Sequence, residues 1–225
     1  MSSDKTLDKV KELRELTGVG FNDCKNAIDE NNGDIEKSIE FLRKKGIAKA
    51  TKRMGRIAAE GLVCIYESKN KFSMIEINSE TDFVAKNSEF INFAEEVSHL
   101  ALDVSGKMEG ILKSKMKNKK KVEENLIDLV SKIGEKITIR KSACFVNDKL
   151  LNFSYTHASI KKNIGKIGVL VSIETKKDKN DVMNLGKQLA MQIASSSPLA
   201  IDKEGLDPNI LKKEKEIITE ELKNS

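Results

Sequence analysis

The residues of this chain with the means to do chemistry are few and far apart. Two histidines, His99 and His157, stand among 225 residues. His99 lies in a stretch whose apolar residues recur at helical spacing, where a surface or partly buried His is the plain reading. Tyr155-Thr156-His157-Ala158 closes a strand-like run, which makes His157 a candidate general base. No Ser or Cys elbow, Gly-rich phosphate loop or HExxH accompanies it. Gly165-Lys166-Ile167-Gly168 lacks the Walker spacing, and the carboxylates are too scattered for a paired acid/base site to be argued from spacing. Cys24, Cys64 and Cys144 are odd in number and distant, with no CxxC or Cys/His cluster, so neither a disulfide framework nor a zinc site is supported. Such cysteines fit a reducing compartment, and the expectation is a cytoplasmic protein. The chain therefore reads as a non-enzyme with no catalytic residue, no metal and no cofactor.

Binding chemistry has more to work with. Residues 107–121 carry seven Lys and one Glu, a candidate basic patch for RNA or the ribosome. The plainer reading is a solvated lysine-rich loop, because no aromatic or Arg interleaves the run and Lys is a poor bidentate reader of bases. The net charge of +5 and an aromatic content of 4% likewise argue against nucleic acid as a partner. Met183, Leu185, Leu189, Met191 and Ile193 read as core packing of one helix. The sharpest feature is Asn78-Ser79-Glu80-Thr81-Asp82-Phe83-Val84-Ala85-Lys86-Asn87, between a strand and a helix. Two readings stand. Ser79 and Asp82 form a capping box while Phe83 tucks under the next helix, or Phe83 is an exposed aromatic built to enter a partner's groove.

The elements that must position this segment are legible in outline. Leu7, Val10, Leu13 and Leu16 mark a first helix over 7–16, and Thr17-Gly18-Val19-Gly20-Phe21 a turn relaxed by glycine. A second helix over 22–30 has Asn22 or Asp23 as cap. Gly33 suits its left-handed terminus and Asp34 the N-cap of a third, lined by Ile35, Ile39 and Leu42. Residues 47–56 are small and basic, a helical or extended linker. Period-two patterning then predicts strands over 61–67 and 72–78, with Leu62, Cys64 and Tyr66 alternating in one and Phe72, Met74 and Glu76 in the other, joined by Ser68-Lys69-Asn70-Lys71. A helix is predicted over 88–104 and another over 122–133, ended by Gly134. Strands follow over 136–146, 150–156 and 166–174, the first two joined by Asn147-Asp148-Lys149. A helix over 179–194 is broken by Ser195-Ser196-Ser197-Pro198, and a last one follows Asp207-Pro208. Strand-plus-helix groups at 57–133 and 136–194 look like a doubling and imply an α+β fold with antiparallel sheets. The N-terminus lacks an apolar signal core and no apolar run approaches a membrane span, so no membrane partner is expected.

These residues resemble the elongation factor Ts family. The segment from Asn78 to Asn87 is similar to its signature, and Val10 to Gly20 to its opening helix and turn. Asp23-Cys24-Lys25-Asn26-Ala27, Asn32-Gly33-Asp34-Ile35-Glu36, Lys132-Ile133-Gly134-Glu135-Lys136-Ile137 through Arg140, Tyr155 to His157, Gly165 to Val171, Met191-Gln192-Ile193-Ala194 and Pro198 follow in family order. The resemblance covers nearly the whole chain. It implies a guanine nucleotide exchange factor that binds GDP-loaded elongation factor Tu, releases GDP without itself holding nucleotide, and stays bound until GTP enters.

Further expectations come with the resemblance. Residues 1–46 would form a three-helix, ubiquitin-associated-like domain that docks on the partner's GTP-binding domain, and 47–56 a basic linker. A core of two related halves would follow, 57–134 and 135–202, with 203–225 the start of a helical hairpin. Asp82 and Phe83 would push between two helices of the partner and disturb its magnesium and phosphate site, with Thr81 and Val84 shaping the turn. Val19, Gly20, His157 and Met191 would be further partner contacts. Members of the family continue beyond Lys223-Asn224-Ser225, so the second half is expected to be truncated, and a homodimer only where the missing C-terminal part is present. Ser159-Ile160-Lys161-Lys162-Asn163 lengthens a family loop.

Overall fold

The computed structural model describes residues 2–224 except Gly18, Met54 and Asp148; the side chains of residues 2–5, 47, 49–52 and 224 also lie outside the description. The expectations placed on Gly18 and Asp148 thus fall outside the described residues. Three helices come first: α1 Ser2–Thr17, α2 Phe21–Glu30 and α3 Ile35–Arg53. Their core is Val10, Leu13, Cys24, Ala27, Ile28 and Leu42, with Val19, Ile35 and Phe41 packed at its edge. Of the four Leu and Val residues read as one face of α1, Leu7 and Leu16 are exposed. A three-residue step turns a helix by about 300°, so four such positions fan across roughly half its circumference. Neither Asn22 nor Asp23 caps α2. Its N-cap is Gly20, in ordinary extended backbone.

Gly33 holds the left-handed conformation at φ +78°, and its carbonyl accepts from Lys9 Nζ at 2.7 Å. Asp34 caps α3, its Oδ1 accepting the Lys37 amide at 3.0 Å. That backbone bond, ahead of the Lys37 ammonium, holds the Asp34 carboxyl below the usual carboxylate range. Because the folded-state value is the lower one, the cap's contribution is complete above about pH 4 and lost as pH falls through the folded value. Melting followed by circular dichroism between about pH 5 and 3 should show a shallower loss of stability for Asp34→Ala than for the parent. An equally steep loss would remove Asp34 from the acid response.

The helix α3 does not stop at Lys45-Gly46 but runs through the basic segment to Arg53, docking the bundle on the rest of the chain. Gly46 lies so close to Ser131 that an added Cβ would sit 2.9 Å from its Oγ. Arg43 pairs with Glu124 at 2.6 Å, and Arg53 donates to the Val130 carbonyl at 3.0 Å.

The remainder alternates sheet and helix: β1 Glu60–Ser68, β2 Lys71–Ser79, α4 Asp82–Ala85, α5 Ser88–Asp103, α6 Met108–Lys113, α7 Val122–Ile133, β3 Ile137–Phe145, β4 Leu151–His157, β5 Ile164–Gly165, β6 Ile167–Ile173, α8 Met183–Ser196 and α9 Pro208–Asn224. The fold is α+β with antiparallel pairing, as the pattern predicts. The strands make a four-stranded sheet ordered β3-β2-β1-β5 and a two-stranded sheet of β4 and β6. Lys69, at φ +56°, turns β1 into β2. Sequence order joins β3 to β4 by a short connection, yet β3 pairs with β2 from Phe72–Phe145 to Ser79–Ile137. Alternation identifies a strand but carries no information on its neighbour. The short β5 escaped the pattern because two residues have no period.

One face of the larger sheet packs on α5 and α7. Leu62, Cys64, Ile75, Ile77, Ile137 and Ile139 meet Phe90, Phe93, Ala94, Val97, Val130 and Leu129. Phe72, Met74 and Glu76 occupy the other face, which the smaller sheet partly covers. Gly168 sits where a Cβ would lie 2.5 Å from Val63, and Lys179 lies over both Phe72 and Phe153. Asn152 stitches the small sheet to the β1–β2 turn, donating from Nδ2 to the Asn70 carbonyl at 2.6 Å and from its amide to Asn70 Oδ1 at 3.0 Å.

The apolar residues of α8 are only partly the core packing their spacing suggests, with Met183 and Ile193 half-buried. Leu185, Leu189 and Met191 are exposed, and the buried contact is made by Gly186 and Ala190. A Cβ at Gly186 would sit 2.3 Å from the Phe153 ring, so the helix can approach the sheet only through its small residues.

Cys24 and Cys64 are buried and Cys144 half-buried. Burial pushes the Cys64 thiol up to about 11, against a weaker opposing effect from the Ser98 hydroxyl. At pH 8 only about one Cys64 in a thousand is then thiolate, the reactive form. Iodoacetamide labelling read by mass spectrometry should modify Cys64 at least about 100-fold more slowly in the native chain than in urea. Equal rates would mean an open core.

Candidate functional site

The strand β2 delivers the chain to its sharpest turn. Ser79 Oγ donates to the Thr81 carbonyl at 2.8 Å, and Thr81 is the extended N-cap of α4. That helix is a single turn of four residues, too short to persist on propensity alone. It persists because Val84 and Ala85 are buried against the α5 core. Asn87 then caps α5, its Oδ1 accepting the Glu89 amide at 2.8 Å and the Phe90 amide at 3.4 Å. No capping box forms between Ser79 and Asp82, and Phe83 does not tuck beneath α5. The inward space is taken by Val84, Ala85 and Phe90, and one turn of helix must put the opposite residues outside. Phe83 is 79% exposed.

The turn is set in a charged frame. Asp82 Oδ2 accepts from Lys86 Nζ at 2.8 Å. That bond is the main reason the Asp82 carboxyl lies below its usual range, with a smaller contribution from the Lys166 ammonium. Lys166 in turn reaches Glu60 at 2.6 Å. Glu80 accepts the Lys136 amide at 2.6 Å and the Arg56 guanidinium at 3.3–3.4 Å, and the backbone bond is the first cause of its lowered pKa. Glu135 accepts the Thr81 amide at 2.9 Å and its hydroxyl at 2.8 Å. The turn thus sets a carboxylate beside an exposed ring on a base fixed from several sides.

The other candidate contacts lie elsewhere. Val19 is half-buried against the bundle core and Gly20 is exposed ahead of α2. His157 is exposed at the end of β4, its Nδ1 3.1 Å from the Tyr155 hydroxyl, while Met191 is exposed on α8. Val84 differs from its neighbours, since it faces this chain's own core and acts as an anchor. His99 stacks on Tyr66 with ring centroids 3.7 Å apart. Within the lysine run, Lys113, Lys120 and Lys121 pair with Glu109, Asp128 and Glu123, and Ile111 and Met116 are buried. Three of its seven lysines thus face carboxylates, two of them on α7. Among the described residues no group of three His, Cys, Asp or Glu side chains is placed to hold a metal ion, and no helix is long and apolar enough to cross a membrane.

The family model described as elongation factor TS matches residues 80–225, beginning at the Glu80 that frames the turn. The chain is similar to proteins named elongation factor Ts from several bacteria. That of Methylorubrum populi is 45% identical over 216 residues, covering 96% of this chain and 71% of the relative. The relative from Nitrobacter hamburgensis is 43% identical over 218 residues, covering 97% and 71%. A third, from Parvibaculum lavamentivorans, is 40% identical over 221 residues, covering 98% and 72%. The chain belongs to the elongation factor Ts family.

As an elongation factor Ts family member, the protein is a translation elongation factor of protein biosynthesis. The segment from Asn78 to Asn87, which resembles the family's signature, is the turn just described. What sequence reasoning missed in this family member is the frame: Glu80 and Glu135 cross-bond to each other's turns over 54–56 residues of sequence. The only signal was Lys132 to Arg140 among the matching segments, which carried no role by itself.

Proposed function

We propose that this elongation factor accelerates GDP release from elongation factor Tu, with Asp82 and Phe83 as the inserted pair and no catalytic residue of its own. The observation that carries the reading is Phe83, a large apolar ring 79% exposed at the tip of a turn whose other residues are anchored. An exposed ring on a fixed base is costly to leave in water and gains by entering a groove.

Exchange needs binding energy and not reactive groups. A nucleoside diphosphate is held by backbone amides at a phosphate loop and by Mg²⁺ bridging its oxygens. A protein that prefers the emptied, distorted pocket must weaken nucleotide affinity by the same factor. Phe83 entering between two helices of the partner's GTP-binding domain would favour that distortion, and Asp82 would bring a carboxylate toward the magnesium site. Entry of GTP then drives the factor off by the same coupling. Val19, Gly20, His157 and Met191, exposed or half-exposed on the bundle, β4 and α8, would add contacts that give affinity without distorting the pocket.

Stopped-flow release of a fluorescent GDP analogue from elongation factor Tu tests this directly. Adding the protein should speed release by orders of magnitude, saturating with its concentration. No acceleration at any concentration overturns the reading. A role in RNA binding is less well supported, because Lys113, Lys120 and Lys121 already face carboxylates.

A further inference from the structure

We propose that Glu135 is the positioning residue of the Asp82–Phe83 turn, an inference that rests on the exchange function proposed above. The helix α7 ends at Gly134 in the left-handed conformation, φ +90°, so the chain reverses at once and Glu135 projects back toward the β2–α4 junction. Its two carboxylate oxygens divide the work on Thr81. Oε2 accepts the backbone amide at 2.9 Å and Oε1 the hydroxyl at 2.8 Å. From the other side, Glu80 accepts the amide of Lys136, the residue after Glu135, at 2.6 Å. Each turn thus supplies a carboxylate to the other turn's backbone.

This interlock replaces what α4 lacks. Thr81 is the N-cap, yet its side chain makes no cap bond, and its hydroxyl donates to Glu135 instead. A one-turn helix with an unused cap would fray at its N-terminus, where Asp82 and Phe83 lie. Burial of Val84 and Ala85 holds only the far end. Charge-assisted bonds to Thr81 hold the near end, and their geometry sets the direction of the Phe83 ring. A ring that must be ordered during insertion gives up part of its effect to that ordering, so a pre-set turn is worth more than the same residues on a loose one.

The test is hydrogen–deuterium exchange together with GDP release on the full chain. In Glu135→Ala, amides of peptides covering 80–87 should exchange about tenfold faster, with α5 and β2 unchanged, and the maximal release rate should fall about tenfold. Glu135→Gln should stay within about twofold of the parent in both, since its carbonyl accepts the Thr81 amide and its NH₂ donates to the hydroxyl, which rotates to accept. Unchanged exchange at 80–87 in Glu135→Ala overturns the clamp. Faster exchange there with an unchanged release rate overturns its functional role. If Glu135→Ala fails to fold, Thr81→Val removes the hydroxyl half alone, and about a threefold rise at 80–87 is then the supporting result, with no rise overturning. Failure of the exchange function itself would appear in the parent protein, which separates it from failure of the clamp.

Discussion

Phe83→Ala should leave the fold intact and slow the maximal rate of GDP release from elongation factor Tu by about 10- to 100-fold. Both halves follow from one number, the 79% exposure of Phe83. An exposed side chain contributes little to its own protein's stability, so circular dichroism and the melting transition should match the parent to within about 0.5 kcal/mol. Full burial of a Phe ring is worth roughly 1.5–3 kcal/mol, and in this mechanism that gain is made only when the partner has opened. At about 1.4 kcal/mol per factor of ten, its loss gives the stated range. The concentration giving half-maximal release should move less than the maximal rate, because contacts elsewhere on the molecule supply affinity common to both states. Release as fast as with the parent would sink the wedge assignment.

Gly61→Ala should have the largest effect on stability, and it tests whether the hairpin sets the turn. Gly61 is opposite Asn78 at the start of β1, with φ +138°. A Cβ there would lie 2.1 Å from the Ile77 carbonyl oxygen and 2.7 Å from Asn78 Cα, both of them backbone. Neither can yield as a flexible side chain can. Strained backbone at positive φ costs about 1–3 kcal/mol on its own, and relief of the clash must part β1 from β2. A loss of roughly 3 kcal/mol or more is expected, read as a lower urea midpoint. The parting falls where Asn78 Nδ2 bonds the Glu60 carbonyl at 3.0 Å, immediately before the turn that carries Asp82 and Phe83. Release activity should therefore fall even at temperatures where the variant remains folded. A midpoint equal to the parent's would show that the hairpin can absorb the methyl group.

Local rules were legible where one residue decides the outcome. Gly134 ends α7 in the left-handed region, Asp34 caps α3, and the strands over 61–67 and 72–78 appear within a residue of their expected ends, whereas at the end of α2 the first left-handed residue is Asn32, one position before Gly33. The signature segment between β2 and α5 was also visible as a segment. The direction of its ring was not, because a capping box and an outward Phe share the same spacing. The decision fell to Asn87, which supplied the cap, and to Val84 and Ala85, which filled the space beneath α5. Apolar spacing on α8 misled for the opposite reason. Whether Leu185 or Gly186 faces a sheet depends on how near the sheet comes, and Phe153 comes too near for a side chain.

By itself the sequence determined the α+β class and the order and kind of the longer elements, since each follows from period, cap or turn chemistry within about ten neighbouring positions, while the role of the segment from Asn78 to Asn87 came only from its resemblance to a family. Only the tertiary structure decided that β3 joins β2, that α3 runs on into the body of the protein, and that Glu80 and Glu135 hold each other's turns. Those outcomes depend on contacts between residues tens of positions apart, where a chain's own periodicity is silent and only the shape left by packing selects the partner.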